Sequence, residues 1–393
     1  MPQQRAPRIL LSCGEPSGDL YGAELIRHLR QRLPDLEAFG LGGDRLQAQG
    51  LRLHAHVRQL AVVGLLEVLS HLKELRGIFR SVLQEVDRDP PDLAVLVDYP
   101  DFNLRLAREL HRRGIKVVYY VSPQVWAWRR GRLRGIRRSV ARMLVIFPFE
   151  AALYRAARVP VSFVGHPLVD LVQPPRDKAA FLAASGLDPG RPVVALLPGS
   201  RPKEVAHNLP PLAASVPRIR AARPDTQFLL ALAPSLEAVA AEGPLRDLGV
   251  PVVRDRAHEV LGAASLALVA SGTVTVETAL LGTPMVVVYR VAPLTYALGR
   301  PFVRVPHFAM VNLIAGREVV PELEQWEVTP ERVSAEALAL LSDPDAADRM
   351  RRELARVREL LGGPGASGRA ADAVVEILQG ARVASGAVSG APG

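Results

Sequence analysis

The stretch Leu266 to Arg290 constrains the chain more than any other part of the sequence. Leu266 to Ala270 is a short apolar run that suits a buried strand, and Ser271-Gly272-Thr273 turns the chain. Val274, Ala279 and Leu280 then fall on a helical period, Gly282 ends the helix, and Pro284 bars its continuation before the strand Met285 to Tyr289. A strand, a small-residue turn and a helix N-terminus gather free backbone N–H groups and the positive end of the helix dipole, which suits a diphosphate. Glu277 stands four residues after Thr273, on the same helix face, where a carboxylate can accept both hydroxyls of a ribose.

The same alternation runs through the chain twice. In the first half, strands are expected at Arg8–Cys13, Leu36–Leu41, Pro91–Asp98, Ile115–Val121, Arg142–Phe147 and Val161–Gly165. His166-Pro167 marks the boundary and proline-rich Gln173 to Arg176 reads as a linker. Pro192–Leu197, Gln227–Ala233, Val250–Val253 and the organising stretch, expected to close the sheet, form the second half. At 393 residues, with 49% hydrophobic and 23% charged residues, the chain accommodates two such domains. The expectation is α/β: two Rossmann-like doubly wound domains facing a cleft, over residues 1–172 and 173–345. Helices over 346–379 are expected to pack back on the first domain, and the Ala, Gly, Ser and Pro tail over 380–393 to be disordered.

In open α/β sheets ligands bind beyond the carboxyl ends of the strands. Glu15, in Gly14-Glu15-Pro16-Ser17-Gly18-Asp19, follows the first strand, and Asp98 follows Leu93 to Val97. Asp101 reads as a helix N-cap, whereas Asp98 has no such structural explanation and could serve as a base. Arg201, in Pro198-Gly199-Ser200-Arg201, stands at another helix N-terminus suited to phosphate. The lone Cys13 excludes an internal disulfide. His54 and His56 have no third ligand placed by spacing, so no metal is expected.

The formal charge is +9, which nucleic acid, an anionic membrane surface or a phosphorylated substrate could explain. No nucleic-acid motif is present, so that partner rests on charge alone. Trp126 and Trp128 precede six arginines between Arg129 and Arg138. From Leu60 to Leu83 the pattern starts apolar on more than one face, with Lys73, Arg76 and Arg80 beside it. A core helix explains part of this, and a membrane interface at Leu65, Leu66, Leu69 and Leu72 explains the rest. No apolar run approaches the roughly 18 residues that span a bilayer. No signal peptide is expected, which points to the cytoplasm.

Six motifs in order, Gly14-Glu-Pro-Ser-Gly-Asp19, Val97-Asp-Tyr-Pro-Asp-Phe-Asn103, Tyr120-Val-Ser-Pro-Gln-Val-Trp-Ala-Trp-Arg129, Leu197-Pro-Gly-Ser-Arg201, Ala270-Ser-Gly-Thr273 with Glu277, and Asn312-Leu-Ile-Ala-Gly-Arg-Glu318, resemble the lipid-A-disaccharide synthases. The resemblance implies an inverting GT-B glycosyltransferase without metal or cofactor. Its substrates would be UDP-2,3-diacylglucosamine and 2,3-diacylglucosamine 1-phosphate (lipid X), and its products a β-1,6-linked disaccharide and UDP. It also implies peripheral attachment to the anionic cytoplasmic face of the inner membrane, with no nucleic acid. By motif, Asp98 and Glu15 are the catalytic candidates, Asp98 being favoured as base. Ser17, Arg201, Ser271, Gly272, Thr273, Glu277 and Asn312 are candidates for binding substrate. The sequence departs from the family pattern at Pro16 and Tyr99, beside the proposed site.

A UDP-N-acetylglucosamine 2-epimerase shares the two-domain fold but has no use for an acylated-substrate surface, and Trp126-Ala127-Trp128 argues against it. A non-catalytic UDP-sugar or lipid-binding paralogue would not need Asp98, Arg201 and Glu277 together. Acyl-chain length and oligomeric state, a homodimer included, are left open by the sequence.

Overall fold

The computed structural model describes residues 5–60, 68–127, 129–233, 236, 245–300 and 305–389. The chain divides into two compact units, Met1–Pro167 with Gly363–Gly393, and Leu168–Gly362.

Among the described residues the first unit has one seven-stranded sheet. Its strands are β1 (Arg8–Ser12), β2 (Glu37–Gly42), β3 (Arg52–His56), β4 (Leu93–Val97), β5 (Val117–Tyr120), β6 (Arg142–Val145) and β7 (Val161–Phe163). They lie in the order β3-β2-β1-β4-β5-β6-β7, all parallel. β1 and β4 are buried at every position, as unbroken apolar runs require in a parallel sheet covered on both faces. Helix Pro16–Arg32 follows β1. The last helix, Ala366–Ser389, packs on it, burying Ala370, Ala371 and Val374 completely. Arg32 Nε lies 2.6 Å from Asp372, and Arg369 Nε donates to the Val164 carbonyl at 2.8 Å.

The second unit repeats the plan with β8 (Val193–Leu197), β9 (Gln227–Leu232), β10 (Val252–Arg254), β11 (Leu266–Ala270), β12 (Met285–Tyr289) and β13 (Glu322–Glu324). These parallel strands run in the order β10-β9-β8-β11-β12-β13. Each sheet therefore reverses its direction of growth once, between β1 and β4 and between β8 and β11. Connections leave toward opposite faces at such a point and open a crevice at the strands' carboxyl ends.

Three features differ from expectation. β3 and β13 extend the sheets, so Leu266–Arg290 does not close the second one. The C-terminal helices divide between the units: Pro344–Leu360 packs on helix Thr273–Leu280, and Ala366–Ser389 on helix Pro16–Arg32. The last helix also runs past Gly380, where disorder was expected, because Ala381, Ala384 and Ala387 carry good helix propensity. Among the described residues no helix is long and apolar enough to cross a membrane.

Candidate functional site

The first unit brings Glu15 and Asp98 to one place. β1 and β4 pair directly, Ser12 opposite Leu96, so the two turns that follow leave the sheet side by side at its reversal point. Glu15 is the extended N-cap of helix Pro16–Arg32, and Ser17 is half-buried in that helix's first turn. Asp98 is half-buried. Asp98 and Tyr99 both adopt left-handed backbone, with φ of 45° and 49°. Outside glycine that conformation costs on the order of 1–2 kcal/mol per residue and persists only where the surroundings dictate it.

Those surroundings are specific. The Asp98 N–H donates to the Tyr120 carbonyl at 3.0 Å. The Asp98 carbonyl accepts from the Tyr119 hydroxyl at 2.6 Å and from Asn103 Nδ2 at 2.8 Å. The Tyr99 ring stacks on Phe102, and its hydroxyl donates to the Leu60 carbonyl at 3.2 Å. Burial, then the charges of Glu15 and Asp101, push the Tyr99 phenol up. Asp101 is not the N-cap expected: Tyr99 holds that position, and Asp101, exposed, pairs with Arg129 and Arg132.

Two residues of this region carry structure that the sequence hid. The Asp19 carboxylate is buried and accepts the backbone N–H groups of Gly43 at 2.6 Å and of Arg45 and Leu46 at 3.1 Å, capping helix Asp44–Ala48 from another element. Glu150, also buried, accepts from Trp126 Nε1 and from the Phe147 N–H, both at 3.2 Å, and anchors the tryptophan loop. Burial pushes its carboxyl up to about 8. Trp128, Leu65 and Leu66 lie outside the described residues, and Leu69 and Leu72 fall in helix Val68–Arg88 with no side-chain contacts described. Further along that helix, Leu75, Ile78 and Phe79 pack against the core while Lys73, Arg76 and Arg80 are exposed.

In the second unit the turns after β8 and β11 again flank the reversal point. After β11, Ser271 donates its hydroxyl to the Phe308 carbonyl at 2.7 Å, and Gly272 takes φ 153°, ψ −161° ahead of helix Thr273–Leu280. Its N-cap, Gly272, has no side chain to cap the helix, and among the described residues a Cβ at Gly272 would meet nothing within 4 Å. The turn thus offers open space beside uncapped N–H groups, as an anion site needs. Glu277 lies one turn along, 3.8 Å from His258 Nε2, a neighbour that spacing could not reveal.

The turn after β8 differs from expectation. Glu204 Oε2 accepts the N–H groups of Ser200 and Arg201 at 3.1 and 3.3 Å, so this helix N-terminus is already capped by its own chain. What remains for an anion there is the exposed Arg201 guanidinium, which lies 3.3 Å from Glu204 Oε1. Asn312 is also placed otherwise than expected. It is wholly buried; its Nδ2 donates to the Val320 carbonyl and to Glu322, and its Oδ1 accepts from Val319 and Val320 at 2.7 and 3.0 Å. With all four hydrogen-bonding positions used, Asn312 holds the segment 319–322 and has none left for a ligand.

The family model for lipid-A-disaccharide synthetase matches residues 9–375. The lipid-A-disaccharide synthase of Geobacter sulfurreducens is 46% identical over 384 residues, covering 96% of this chain and 99% of its own. That of Myxococcus xanthus is 45% identical over 379 residues, covering 96% and 99%. Among solved structures, the UDP-GlcNAc 2-epimerase from Neisseria meningitidis bound to UDP-GlcNAc aligns with a TM-score of 0.64 at 12% identity, over 95% and 99% of the two chains. The glycotransferase of kitacinnamycin aligns at 0.63 and 18% identity, over 95% and 100%. The structural likenesses show a fold common to GT-B glycosyltransferases and epimerases. The agreement in sequence reaches much further, and the chain belongs to the lipid-A-disaccharide synthase family.

Proposed function

We propose that the chain transfers 2,3-diacylglucosamine from UDP-2,3-diacylglucosamine to the 6-hydroxyl of lipid X, with Asp98 as the base and Glu15 orienting the acceptor. A 6-hydroxyl is a weak nucleophile at neutral pH, and a placed carboxylate that takes its proton contributes typically 10²–10⁴-fold. The hydroxyl oxygen bonds to the donor's anomeric carbon on the face opposite UDP. The bond to the diphosphate oxygen breaks, the electron pair leaves with UDP, and the proton passes to Asp98. The diphosphate rests on the N-terminus of helix Thr273–Leu280 and Arg201, and the ribose on Glu277, which together stabilise the departing charge. The observation that carries this reading is that Glu15 and Asp98 leave neighbouring parallel strands where the first sheet reverses.

Incubation with UDP-2,3-diacylglucosamine and lipid X, with mass detection of disaccharide and UDP, tests the reaction. Asp98→Asn should cut turnover sharply and leave UDP affinity intact. Near-normal turnover in Asp98→Asn with an inactive Glu15→Gln would reverse the two roles. Leu65, Leu66, Leu69 and Leu72 are proposed to meet the inner-membrane surface, in support of which Lys73, Arg76 and Arg80, which follow them in sequence, are exposed. Replacing Leu65 and Leu66 by Ser should weaken binding to anionic vesicles more than it lowers melting temperature. Equal vesicle binding by variant and wild type would exclude that surface.

A further inference from the structure

Asn103 is completely buried, so it touches no substrate, yet its carboxamide lies where β1 and β4 end. Its Nδ2 donates to the Asp98 carbonyl at 2.8 Å and faces the carbonyls of Ser12 and Val97, each at 3.2 Å. Its Oδ1 accepts from the Ser12 hydroxyl at 2.7 Å. The opposite amide orientation would set an oxygen against three carbonyl oxygens, so the chemistry of the pocket fixes the side chain. Ser12 ends the strand that leads to Glu15, and Val97 ends the strand that leads to Asp98. One amide therefore ties together the two strand ends on which the catalytic candidates are mounted. The same amide and the Tyr119 hydroxyl hold the carbonyl of a residue in left-handed backbone.

We infer that Asn103 is a positioning residue for the glycosyl transfer, holding the Asp98 turn in the left-handed form that aims its carboxylate at the acceptor hydroxyl. This rests on Asp98 being the base. A general base works only within hydrogen-bond reach of the proton it takes, and misplacing a reacting group by about 1 Å costs on the order of 100-fold. Removing the amide frees the Asp98 peptide to relax toward ordinary backbone and swings the carboxylate away.

The test is a double-mutant cycle on the full chain, assayed by mass detection of the disaccharide. Asn103→Ala should lower kcat by about 100-fold, with acceptor KM changed less than about threefold and UDP affinity unchanged. In an Asp98→Asn background the same change should cost less than about threefold, because a residue acting through Asp98 has nothing left to position. Tyr119→Phe removes only the second donor to the Asp98 carbonyl and should follow the same pattern more weakly, which serves if Asn103→Ala fails to fold. A sharp loss in Asp98→Asn with an equal further loss on adding Asn103→Ala would overturn the positioning role and leave the base assignment standing. Near-normal turnover in Asp98→Asn alone would remove the base assignment and this inference with it. Where Asp98→Asn falls below detection, the split between kcat and KM decides. Loss confined to kcat supports the role, and unchanged kcat with a lowered melting temperature excludes it.

Discussion

The ring of Tyr99 lies directly over Gly14: a Cβ built on residue 14 would come 2.3 Å from Tyr99 Cγ. The turn after β4 is thus packed onto the turn after β1 with no room for a methyl group. Gly14→Ala must push the Tyr99 ring aside, and with it the left-handed pair Asp98-Tyr99. Overpacking of this kind costs about 1–3 kcal/mol. We expect Gly14→Ala to lose stability in that range and to lose turnover at constant UDP affinity. Wild-type denaturation and turnover would show that the turn yields without consequence.

Asp19 gives a prediction about stability alone. Its buried carboxylate satisfies three backbone N–H groups at the start of helix Asp44–Ala48. Asp19→Ala leaves these donors unpaired and should destabilise the chain by about 3 kcal/mol or more, while Asp19→Asn, which keeps one acceptor oxygen, should cost less. Urea denaturation of both variants checks the order. An Asp19→Ala chain as stable as wild type would mean that water replaces the carboxylate.

On the second unit, Glu277 and His258 form a pair 3.8 Å apart. Hydrogen bonds to a charged acceptor contribute about 1.5–3 kcal/mol, so Glu277→Ala should weaken UDP binding by roughly 10- to 100-fold. His258→Ala should weaken it less, because it removes only the neighbour of the carboxylate. Calorimetry showing wild-type affinity in Glu277→Ala would take Glu277 out of the donor site.

Two buried groups set a pH dependence of stability. Burial raises the Glu150 carboxyl from 4.5 to about 8, so the folded chain binds this proton more tightly than the unfolded chain. The resulting stability is complete below pH 4.5 and is lost as pH rises from there to about 8. Burial lowers His166 from 6.5 to about 3, so its contribution is complete above pH 6.5 and is lost as pH falls toward 3. In Glu150→Gln the alkaline loss should vanish. Gln carries no titrating proton there, so the variant gains on wild type as pH rises from 4.5 toward 8. Parallel stability curves for the two proteins would contradict the buried neutral carboxyl.

The central strands were legible because buried parallel strands are written as unbroken apolar runs, Leu93-Ala-Val-Leu-Val97 and Leu266-Ala-Leu-Val-Ala270. β3 was not, because Arg52-Leu-His-Ala-His56 is an edge strand with polar residues in it, and β13 spans only Glu322–Glu324. Strand ends located Glu15 and Asp98, since the sequence shows where a strand stops. What it cannot show is which polar side chain turns inward. Asn312 and Asn103 read as site residues or as mere motif members, yet both are fully buried and hold backbone. Glu204 is a cap that spacing does not single out, because the same helix N-terminus also reads as a phosphate site beside Arg201.

The division of the chain has a consequence for its synthesis. The second unit is a single continuous segment, Leu168–Gly362, whereas the first needs Gly363–Gly393 as well as Met1–Pro167. A ribosome moving from the amino end therefore polymerises every residue of the second unit before it makes the helix that covers Pro16–Arg32. The unit that contains β1 is completed only after the second unit has been made. Until then the apolar face that will receive Ala370, Ala371 and Val374 stands open on the nascent chain. A truncation that removes helix Ala366–Ser389 would strike the unit to which residues 5–167 belong.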